Sequence, residues 1–549
     1  MKTPDDDSSP STAIVHDPPA SKRAGEVSGG RSERLGQWVL GIALGLAAAM
    51  AGLASAEVVA IFSNSFQSPV LDVGDRVVDG VPNSVKELAI EWFGTNDKQA
   101  LLAGIASILT VYASLVGIVA VTRRWRFAVV GIALFGLAGA YASQSTRRDA
   151  PWHAVAPSLV GGLIAAATLV WLRSRLIRTA IVPEVATTAP TGTTVVEGFD
   201  RRKFVAAASG VAVGSAVVGF TGRSIATRSG VANQRNELGL PIASDPLAEA
   251  PSGISADGAT PFFTPNDDFY RIDTALTVPQ VSVDGWRLTI RGLVDQELSI
   301  SYDELLNREI VEHDITLTCV SNEVGGSLMG TARWLGVRLD DLLRDAGIKS
   351  DADQIVGRSV DGYTCGFPTA ALDGRDALVA IGMNGEPLPL EHGYPARLIV
   401  PGLYGYVSAT KWLKTIELTR FDQFDQYWVE RGWVDDAPIK LSSRIDTPRG
   451  LSKVPAGTIA VAGVAWAQTR GIERVELQFD EGEWVAATLA DELNDVTWRQ
   501  WSYAWTASAG NHSIRVRATE TGGLVQTEER VAPFPSGATG LQQIVVIVE

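Results

Sequence analysis

Four long apolar stretches constrain the fold of this chain more than any other feature of its sequence. They cover residues 37–56, 100–122, 127–144 and 154–172, and each is long enough to cross a hydrocarbon core as a helix, with no charge in its middle. A helix buried in a soluble domain would have a polar face, and the second stretch, LLAGIASILTVYASLVGIVAV, has none. The sequence therefore predicts a region of four transmembrane helices at residues 36–175.

The connections between these stretches carry the charges that set their orientation. Residues 122–126 (TRRWR) and 173–178 (RSRLIR) are rich in arginine and are expected in the cytoplasm, which leaves the acidic loop at 62–98 outside. The external connection STRRDA carries two arginines and argues mildly against this orientation. Residues 1–35 are polar and rich in Asp, Ser and Pro, so we expect a disordered cytoplasmic tail and no terminal signal peptide.

Residues 199–220 (FDRRKFVAAASGVAVGSAVVGF) join two arginines to a weakly apolar span rich in Gly, Ala and Ser. The segment resembles a twin-arginine signal, which exports proteins that have already folded. An ordinary fifth membrane helix with positive flanks is the alternative. Both interpretations start the helix inside at Arg201 and Arg202, so the remaining chain lies on the outer face. We assign residues 176–225 to a linker that contains this motif and the fifth transmembrane helix.

The chain from about residue 255 is expected to be mostly β. Runs such as WRLTIRGLV, DITLTCV and TKWLKTIELT predict short strands, and GVRLDDLLRDA at 336–346 predicts a helix. A stretch with Pro and Gly near 437–457 separates a smaller second block. Alternation typical of an immunoglobulin-like sandwich occurs there in three sets: Val475, Leu477 and Phe479; Trp501, Tyr503 and Trp505; Ile514, Val516 and Ala518.

The predicted function depends on the role of one cysteine, Cys319. Cys319 lies at the end of a predicted strand in HDITLTCVSNEVGG, and Cys365 is the only other cysteine. In an oxidising compartment the pair could form a disulfide. A buried core thiol is a second interpretation, and a ligand for a metal that prefers thiolates is a third. The spacing of the two cysteines does not decide between them.

Several segments around Cys319 resemble the sulfite oxidase family in their order along the chain. They are NDDFYRIDTALTVP, TLTCVSNEVGG, WLGVRL and MNGEPLPLEHGYPARLIVPGLYGYVSATKWLKTIEL, followed by AVAGVAWAQTRGIERVELQFDEGEW, GNHSIRVRATE and PFPSGATG. The resemblance covers about residues 258–549. It implies a mostly β, α+β molybdopterin-binding oxidoreductase domain at 255–435. It also implies an immunoglobulin-like dimerisation domain at 436–549, and hence a homodimer.

The resemblance also implies a set of site residues. Cys319 matches the molybdenum ligand, with the other ligands supplied by the pterin dithiolene and oxo groups. Basic side chains suit the phosphate of the cofactor, because they donate charge-assisted hydrogen bonds. The matched cofactor-binding positions are Tyr270, Arg271, Cys319, Asp361, His392, Arg397, Ser408 and Lys411, of which Asp361 is the loosest match and a plain turn its alternative.

One departure from the family bears on the substrate. Sulfite oxidases typically follow the cysteine with Gly-Asn-Arg, whereas this chain has Ser321-Asn322-Glu323. A carboxylate would repel the sulfite dianion unless Arg271 or Arg431 compensates. The later segment YWVERGW supplies three catalytic candidates on the substrate side, with core packing as the equal alternative for its aromatic residues: Tyr427, Arg431 and Trp433.

The histidines and cysteines bear on electron transfer. A haem held by two histidines in a helix bundle needs both inside the helices, and none of the five lies within a span: His16, His153, His313, His392 and His512. Two cysteines are too few for a four-thiolate iron–sulfur cluster. We therefore expect a simple membrane anchor, no haem or iron–sulfur cluster in this chain, and a separate electron-transfer protein.

Together these features predict a multi-pass protein of a bacterial cell membrane with an extracytoplasmic molybdenum-cofactor oxidoreductase domain. The expected reaction is two-electron oxygen-atom transfer to or from a small molecule, by sulfite-type oxidation or by S- or N-oxide reduction. Nucleic acid is not an expected partner of a chain with a net charge of −15. Alternatives are a catalytically silent protein on the same fold and a non-enzymatic, membrane-tethered binding protein. Loading of the cofactor in the cytoplasm would favour the twin-arginine interpretation.

Overall fold

A computed structural model describes the chain except for residues 1–20, 64–65, 82–91, 93–96, 146–150, 183–193, 200, 228–229, 250–252 and 255. The chain folds into two compact units, one of residues up to Arg223 and one from Ser224 to Glu549. His16 and most of the predicted cytoplasmic tail lie outside the described residues.

The first unit consists mainly of helices. They are α1 (Ser21–Ala60), α2 (Pro69–Gly80), α3 (Asp97–Ala120), α4 (Trp125–Ser145), α5 (Ala156–Leu176) and α6 (Arg201–Thr227). Within the described residues, four helical segments are long and apolar enough to cross a membrane: Leu35–Ala60, Lys98–Ala120, Trp125–Ser145 and Trp152–Leu176. The four stretches singled out in the sequence therefore form four helices.

Small residues allow these helices to approach closely. Gly45 of α1 faces α3 so tightly that an added Cβ would collide with the Ala113 carbonyl, and at Gly52 it would meet the Gly161 carbonyl of α5 at 2.7 Å. Close backbone contact between glycines is a common way to pack helices in apolar surroundings.

Three details of this unit differ from expectation. Helix α1 begins at Ser21, so residues 21–35, predicted to be disordered, continue the helix. Within the predicted linker, β1 (Ile177–Val182) and β2 (Thr194–Phe199) pair as an antiparallel hairpin. Helix α6 forms at the twin-arginine motif, but it is not among the four most apolar helices, because Gly, Ser and charged residues dilute its apolar content.

The second unit contains short helices and two pairs of sheets. Its helices are α7 (Gly230–Glu237), α8 (Tyr302–Leu306), α9 (Leu339–Ala346) and α10 (Gly405–Ser408). The strands of the first pair of sheets are β3 (Arg287–Gly292), β4 (Leu298–Ser301), β5 (Val311–Thr318), β6 (Met329–Arg338), β7 (Gln354–Ser359), β8 (Thr364–Pro368), β9 (Leu378–Met383), β10 (Glu386–Pro387), β11 (Arg397–Ile399) and β12 (Leu413–Thr419).

These strands form two sheets that position the site. One has the order β10-β9-β6-β5, with β11 also paired to β9, and the other has the order β4-β3-β12-β7-β8. Only β3 and β12 run parallel. Side chains from both sheets, such as Val337 and Ile416, belong to one buried core. The helix predicted at 336–346 begins at Leu339, because residues 336–338 belong to β6 and pair with β9.

A second pair of sheets follows. Its strands are β13 (Ser442–Thr447), β14 (Lys453–Val454), β15 (Gly457–Trp466), β16 (Ile472–Phe479), β17 (Trp484–Ala486), β18 (Thr488–Leu489), β19 (Arg499–Ala507), β20 (Gly510–Glu520) and β21 (Gln542–Val548). The sheets have the orders β13-β15-β19-β18 and β14-β21-β20-β16-β17. Alternating residues of both, including Leu477, Trp501 and Val516, share a core.

The two pairs of sheets meet at strand β5. The Thr316 amide donates to the Val496 carbonyl (3.1 Å), and the Trp498 amide donates to Thr316 Oγ1 (2.8 Å). Asn494 Nδ2 donates to the Asp314 carbonyl (3.0 Å). Strand β5 is therefore held from outside its own sheet, three residues before Cys319.

Candidate functional site

Cys319 lies directly after β5, where the chain turns towards β6. Its amide donates to the Leu328 carbonyl (3.0 Å), and the Leu328 amide donates to Asn322 Oδ1 (2.9 Å). Gly325 within this loop has a φ of 80°, which a residue with a side chain would adopt only with strain. The strand end and the closed loop thus fix the position of the thiol.

The two cysteines have different surroundings. Burial raises the pKa of Cys319, and hydrogen bonds from the Ser321 backbone and side chain partly oppose this rise. Cys365 lies in β8 of the other sheet, where it accepts a hydrogen bond from Thr410 Oγ1 (3.0 Å), and burial raises its pKa to about 11. Both are free thiols, so the disulfide interpretation is wrong.

A cavity with about 880 Å³ of empty space opens beside Cys319. It is lined by segments that are distant in the sequence and meet where the two sheets of the first pair adjoin. Six of the eleven residues singled out in the sequence line it: Tyr270, Cys319, Asp361, Arg397, Lys411 and Trp433.

Arg397, in β11, is a buried cation in the cavity wall. Its Nη1 donates to the His392 carbonyl (3.1 Å), and its guanidinium carbon lies 5.0 Å from the centre of the Trp334 ring. Burial lowers the pKa of Arg397 to about 10, so the side chain stays charged at neutral pH. Its Nε is buried and has no hydrogen-bond partner among the described residues.

His392 lies behind Arg397 and outside the cavity lining. Its Nε2 is 3.2 Å from the Asn266 carbonyl, which can only accept, so Nε2 carries the proton and Nδ1 is left as an acceptor. That Nδ1 is buried without a partner among the described residues. Burial, with the charges of Lys411 and Arg397, lowers the pKa of His392 to about 3, so the ring is neutral at neutral pH.

Lys411 shares a carboxylate with Arg271. Lys411 Nζ is 3.2 Å from Asp273 Oδ2, and Arg271 Nε is 2.8 Å from the same oxygen. Burial lowers the pKa of Lys411 to about 8, although Asp273 opposes the shift. Lys411 and Asp273 line the cavity, whereas Arg271 lies outside the lining.

Three other predicted cofactor positions differ in what they contact. The Tyr270 ring stacks on Phe269 with 5.3 Å between centres, and burial raises its pKa. Asp361 lines the cavity and accepts a hydrogen bond from the Tyr363 amide (3.1 Å), and burial raises its pKa. Ser408 lies outside the lining, because its hydroxyl donates to the Leu403 and Tyr404 carbonyls and so stabilises the turn of α10.

Aromatic side chains form much of the remaining cavity lining. The Trp433 ring lies 5.7 Å from Tyr406 and 6.4 Å from Trp428, centre to centre, and all three line the cavity together with Tyr363. On its other side Trp433 meets Phe534, from the loop between β20 and β21, at 5.3 Å. The second pair of sheets thus supports this wall.

Tyr427 and Arg431, predicted on the substrate side, lie outside the lining. The guanidinium carbon of Arg431 sits 3.5 Å from the centre of the Tyr427 ring, and its Nη1 donates to the Tyr427 carbonyl (2.6 Å). Glu323 is exposed and also outside the lining, so the predicted repulsion of an anion by this carboxylate is not supported. The preceding residue, Asn322, is buried and closes the loop by accepting a hydrogen bond from the Leu328 amide.

The lining residues that were missed in the sequence include one acid and several aromatic residues, among them Asp273, Tyr363, Tyr406 and Trp428. Asp273 follows Arg271 by two residues, and an acid so close to a predicted cation could have suggested an ion pair. The aromatic residues lie inside or beside the segments that carried the resemblance, but nothing local distinguishes a cavity wall from a core.

The donor set fits a molybdenum–pterin cofactor. A thiol is the type of ligand that molybdenum takes from a protein of this kind, and Arg397 and Lys411 provide positive charge for a phosphate. Buried polar atoms are normally hydrogen-bonded, so the Nε of the lining residue Arg397, without a partner among the described residues, fits contact with a polar molecule. His392 Nδ1 also lacks a partner among those residues, but His392 lies outside the lining.

Comparison with known proteins agrees with this fit. The family model of the oxidoreductase molybdopterin binding domain matches residues 275–428. The uncharacterized oxidoreductase YuiH of Bacillus subtilis (strain 168) is 32% identical over 148 residues, which are 27% of this chain and 72% of that protein. Human mitochondrial sulfite oxidase is 30% identical over 323 residues, or 50% of this chain and 58% of that protein. The chain spans about 58–60% of the length of the first sulfite oxidases that it matches.

Among solved structures, the sulfane dehydrogenase SoxCD from Paracoccus pantotrophus matches with a TM-score of 0.47 and 21% identity, covering 59% of this chain and 97% of that chain. The site and the family match define a class, the molybdopterin-binding oxidoreductases. Within that class, the chain belongs to the sulfite oxidase family.

Proposed function

We propose that this chain catalyses two-electron oxygen-atom transfer at a molybdenum–molybdopterin cofactor. The observation that carries the proposal is the position of Cys319, a free thiol fixed at the wall of a cavity that also presents Arg397 and Lys411. When bound, the cofactor would supply a metal that exchanges two electrons and an oxygen atom with the substrate.

The residues of the chain would bind the cofactor and exclude water from it. Cys319 would hold the metal, and Arg397 and Lys411 would bind the anionic end of the cofactor. His392 Nδ1 belongs to a neutral ring and can only accept, so it would contact an N–H group of the pterin and not the phosphate. Trp428 and Trp433 would exclude water from the reacting face of the cavity.

The charges of the cavity favour a neutral substrate over sulfite. Its lining contains two cations, Arg397 and Lys411, and two acids, Asp273 and Asp361. Lys411 is paired with Asp273, and both cations are assigned above to the cofactor. The rest of the lining is mostly aromatic and apolar, with three small hydroxyl side chains, Thr274, Ser321 and Ser359. We therefore propose an S- or N-oxide that loses its oxygen atom as water, with two protons and with two electrons from a separate electron-transfer protein.

The first test is the molybdenum content of the full chain purified from a bacterial host, followed by assays with sulfite and with an aryl methyl sulfoxide and reduced viologen. About one molybdenum per chain and sulfoxide reduction faster than sulfite oxidation would support the proposal. Molybdenum without turnover would favour the catalytically silent alternative. Protein without molybdenum would favour a membrane-tethered binding protein.

A pair of tryptophan variants tests the aromatic wall in the same assay. Trp433→Leu should raise the KM for the sulfoxide up to about tenfold, because an aromatic contact contributes up to about 1.5 kcal/mol. Trp484→Leu, in β17, changes the same type of side chain outside the cavity lining and should leave the KM unchanged.

The location and assembly of the chain are part of the proposal. The four apolar helices support a multi-pass anchor in a bacterial cell membrane, with the residues after about 222 outside the cytoplasm. We propose that residues 436–549 form an immunoglobulin-like domain that mediates a homodimer. The twin-arginine interpretation of Arg201 and Arg202 predicts that replacing both with lysine retains the second unit in the cytoplasm. Continued export of that variant would favour an ordinary fifth membrane helix.

A further inference from the structure

A second cavity lies among the helices of the first unit. It has about 740 Å³ of empty space and is bounded by α1, α2, α3, α4 and α5. The helices that surround it include the four that are apolar enough to cross a membrane. Any occupant would therefore enter from, or remain in contact with, the hydrocarbon phase.

Glycines keep one side of this cavity flat. Gly136 of α4 faces Gly162 of α5, where an added Cβ at either position would lie 3.4–3.5 Å from the opposite Cα. Gly139, Gly161 and Phe135 also line the cavity. A slot of this kind suits a planar ring better than a branched or bulky group.

Two hydroxyl side chains, those of Ser158 and Tyr112, line this cavity. Ser158 is only 5% exposed, and its Oγ is buried without a partner among the described residues. This Oγ lies against Gly139, 2.8 Å from the position of an added Cβ. The other hydroxyl, of Tyr112, already donates to the Gly131 carbonyl (2.9 Å). Ser158 thus offers one hydrogen bond to an occupant.

The distribution of charged residues in and around this cavity argues against binding of a phospholipid headgroup. No Lys, Arg, Asp or Glu is among the described residues that line the cavity. Beside it, Glu57 accepts a hydrogen bond from Ser68, and Asp72 is 1% exposed between the lining residues Pro69 and Val73. Carboxylates in this position would repel a phosphate group.

We propose that this cavity binds a neutral isoprenoid quinone. The ring would lie on the glycine surface beside Phe135, one ring carbonyl would accept a hydrogen bond from Ser158, and the hydrocarbon tail would extend into the bilayer. The proposal concerns binding only and does not depend on the activity proposed above.

The test uses the full chain in bilayer nanodiscs prepared with native lipid. The quinone that co-purifies is extracted and quantified against phospholipid, and the affinity of a benzoquinone with a ten-carbon tail is measured by equilibrium binding. We expect about one quinone per chain. Ser158→Ala should weaken binding of the probe about 5- to 10-fold, the factor expected for one lost hydrogen bond.

Two further variants make the test decisive. Gly162→Leu should remove binding, because its Cβ meets only the Gly136 Cα at 3.4 Å and the rest of the side chain can fill the cavity. Ser107→Ala is the matched control, since Ser107 is exposed on α3 and bonded to the Ala103 carbonyl (2.8 Å). Phospholipid alone in the extract, no bound quinone, or equal affinity in all variants would overturn the proposal.

Discussion

Cys319 and Cys365 show how surroundings give the same side chain different roles. Cys319 lines the cavity, whereas Cys365 is fully buried and hydrogen-bonded to Thr410. Cys319→Ala should therefore lower bound molybdenum and oxygen-atom transfer by at least about 100-fold, since it removes the proposed metal ligand. Metal analysis and the sulfoxide assay check this outcome.

Cys365→Ala is the matched control for this prediction. It removes a buried thiol outside the cavity lining, so it should cost about 1–2 kcal/mol of stability and retain molybdenum. Equal loss of molybdenum in both variants would contradict a specific role for Cys319.

The buried ring of His392 predicts a dependence of stability on pH. Its pKa is about 3 in the folded protein and about 6.5 in the unfolded chain, so the unfolded chain takes up the proton first as pH falls. Stability should decrease below about pH 6.5, by about 2 kcal/mol at pH 5, until the loss levels off near pH 3. Thermal unfolding between pH 5 and 7, followed by tryptophan fluorescence, measures the effect.

A comparison of two histidine variants isolates that contribution. His392→Gln should reduce the acid sensitivity. His512→Gln should not, because its partner Asp480 raises the pKa of His512, and a raised pKa stabilises the folded state at low pH. Unchanged acid sensitivity in His392→Gln would show that other groups cause it.

At the scale of elements, strand β13 supports the loop that follows Cys319. Arg444 Nη1 donates to the Gly326 carbonyl (2.9 Å), and its Nη2 donates to Thr260 Oγ1 (3.0 Å). Its Nε also pairs with Asp446 at 2.6 Å. One side chain of the second pair of sheets therefore joins two segments of the first.

Removing this side chain should loosen the loop selectively. Arg444→Met should accelerate amide hydrogen exchange at residues 321–326 about tenfold or more, because each lost buried hydrogen bond costs about 1–3 kcal/mol. Arg449→Met, at an exposed position nearby, removes the same charge and should leave exchange unchanged. Equal exchange in the two variants would contradict support by Arg444.

The elements also show what local sequence patterns can and cannot predict. Alternation correctly marked the buried side of β16 and β20, since Leu477 and Val516 are in the core. It could not predict that β3 pairs with β12, because that pairing joins residues more than a hundred positions apart. Similarly, the family motif indicated Cys319 and Arg397, but it did not show that Glu323 is exposed in a loop closed by a hydrogen bond from the Leu328 amide to Asn322.

At the scale of the whole molecule, the proposed topology can be tested by labelling. A membrane-impermeant maleimide applied to spheroplasts should label Glu528→Cys, whereas Arg124→Cys should react only after lysis. Both introduced positions are exposed, and the native thiols are 8% and 0% exposed, so the unmodified chain provides a low background. The reverse pattern would contradict the orientation set by the arginine-rich connections.

Because β5 is hydrogen-bonded to residues 494–498, it cannot be fully supported until those residues have been synthesised. Trp498, whose amide binds Thr316, follows it by 182 residues. A ribosome adding about 5–20 residues per second needs about 10–40 s to bridge that gap. During this interval the strand that leads to Cys319 lacks one of its supports, and a cofactor delivered early would meet an unfinished site. We therefore expect the cofactor to be inserted only after translation has passed Trp498. The fold itself would impose this order, because the support of β5 comes from residues synthesised late.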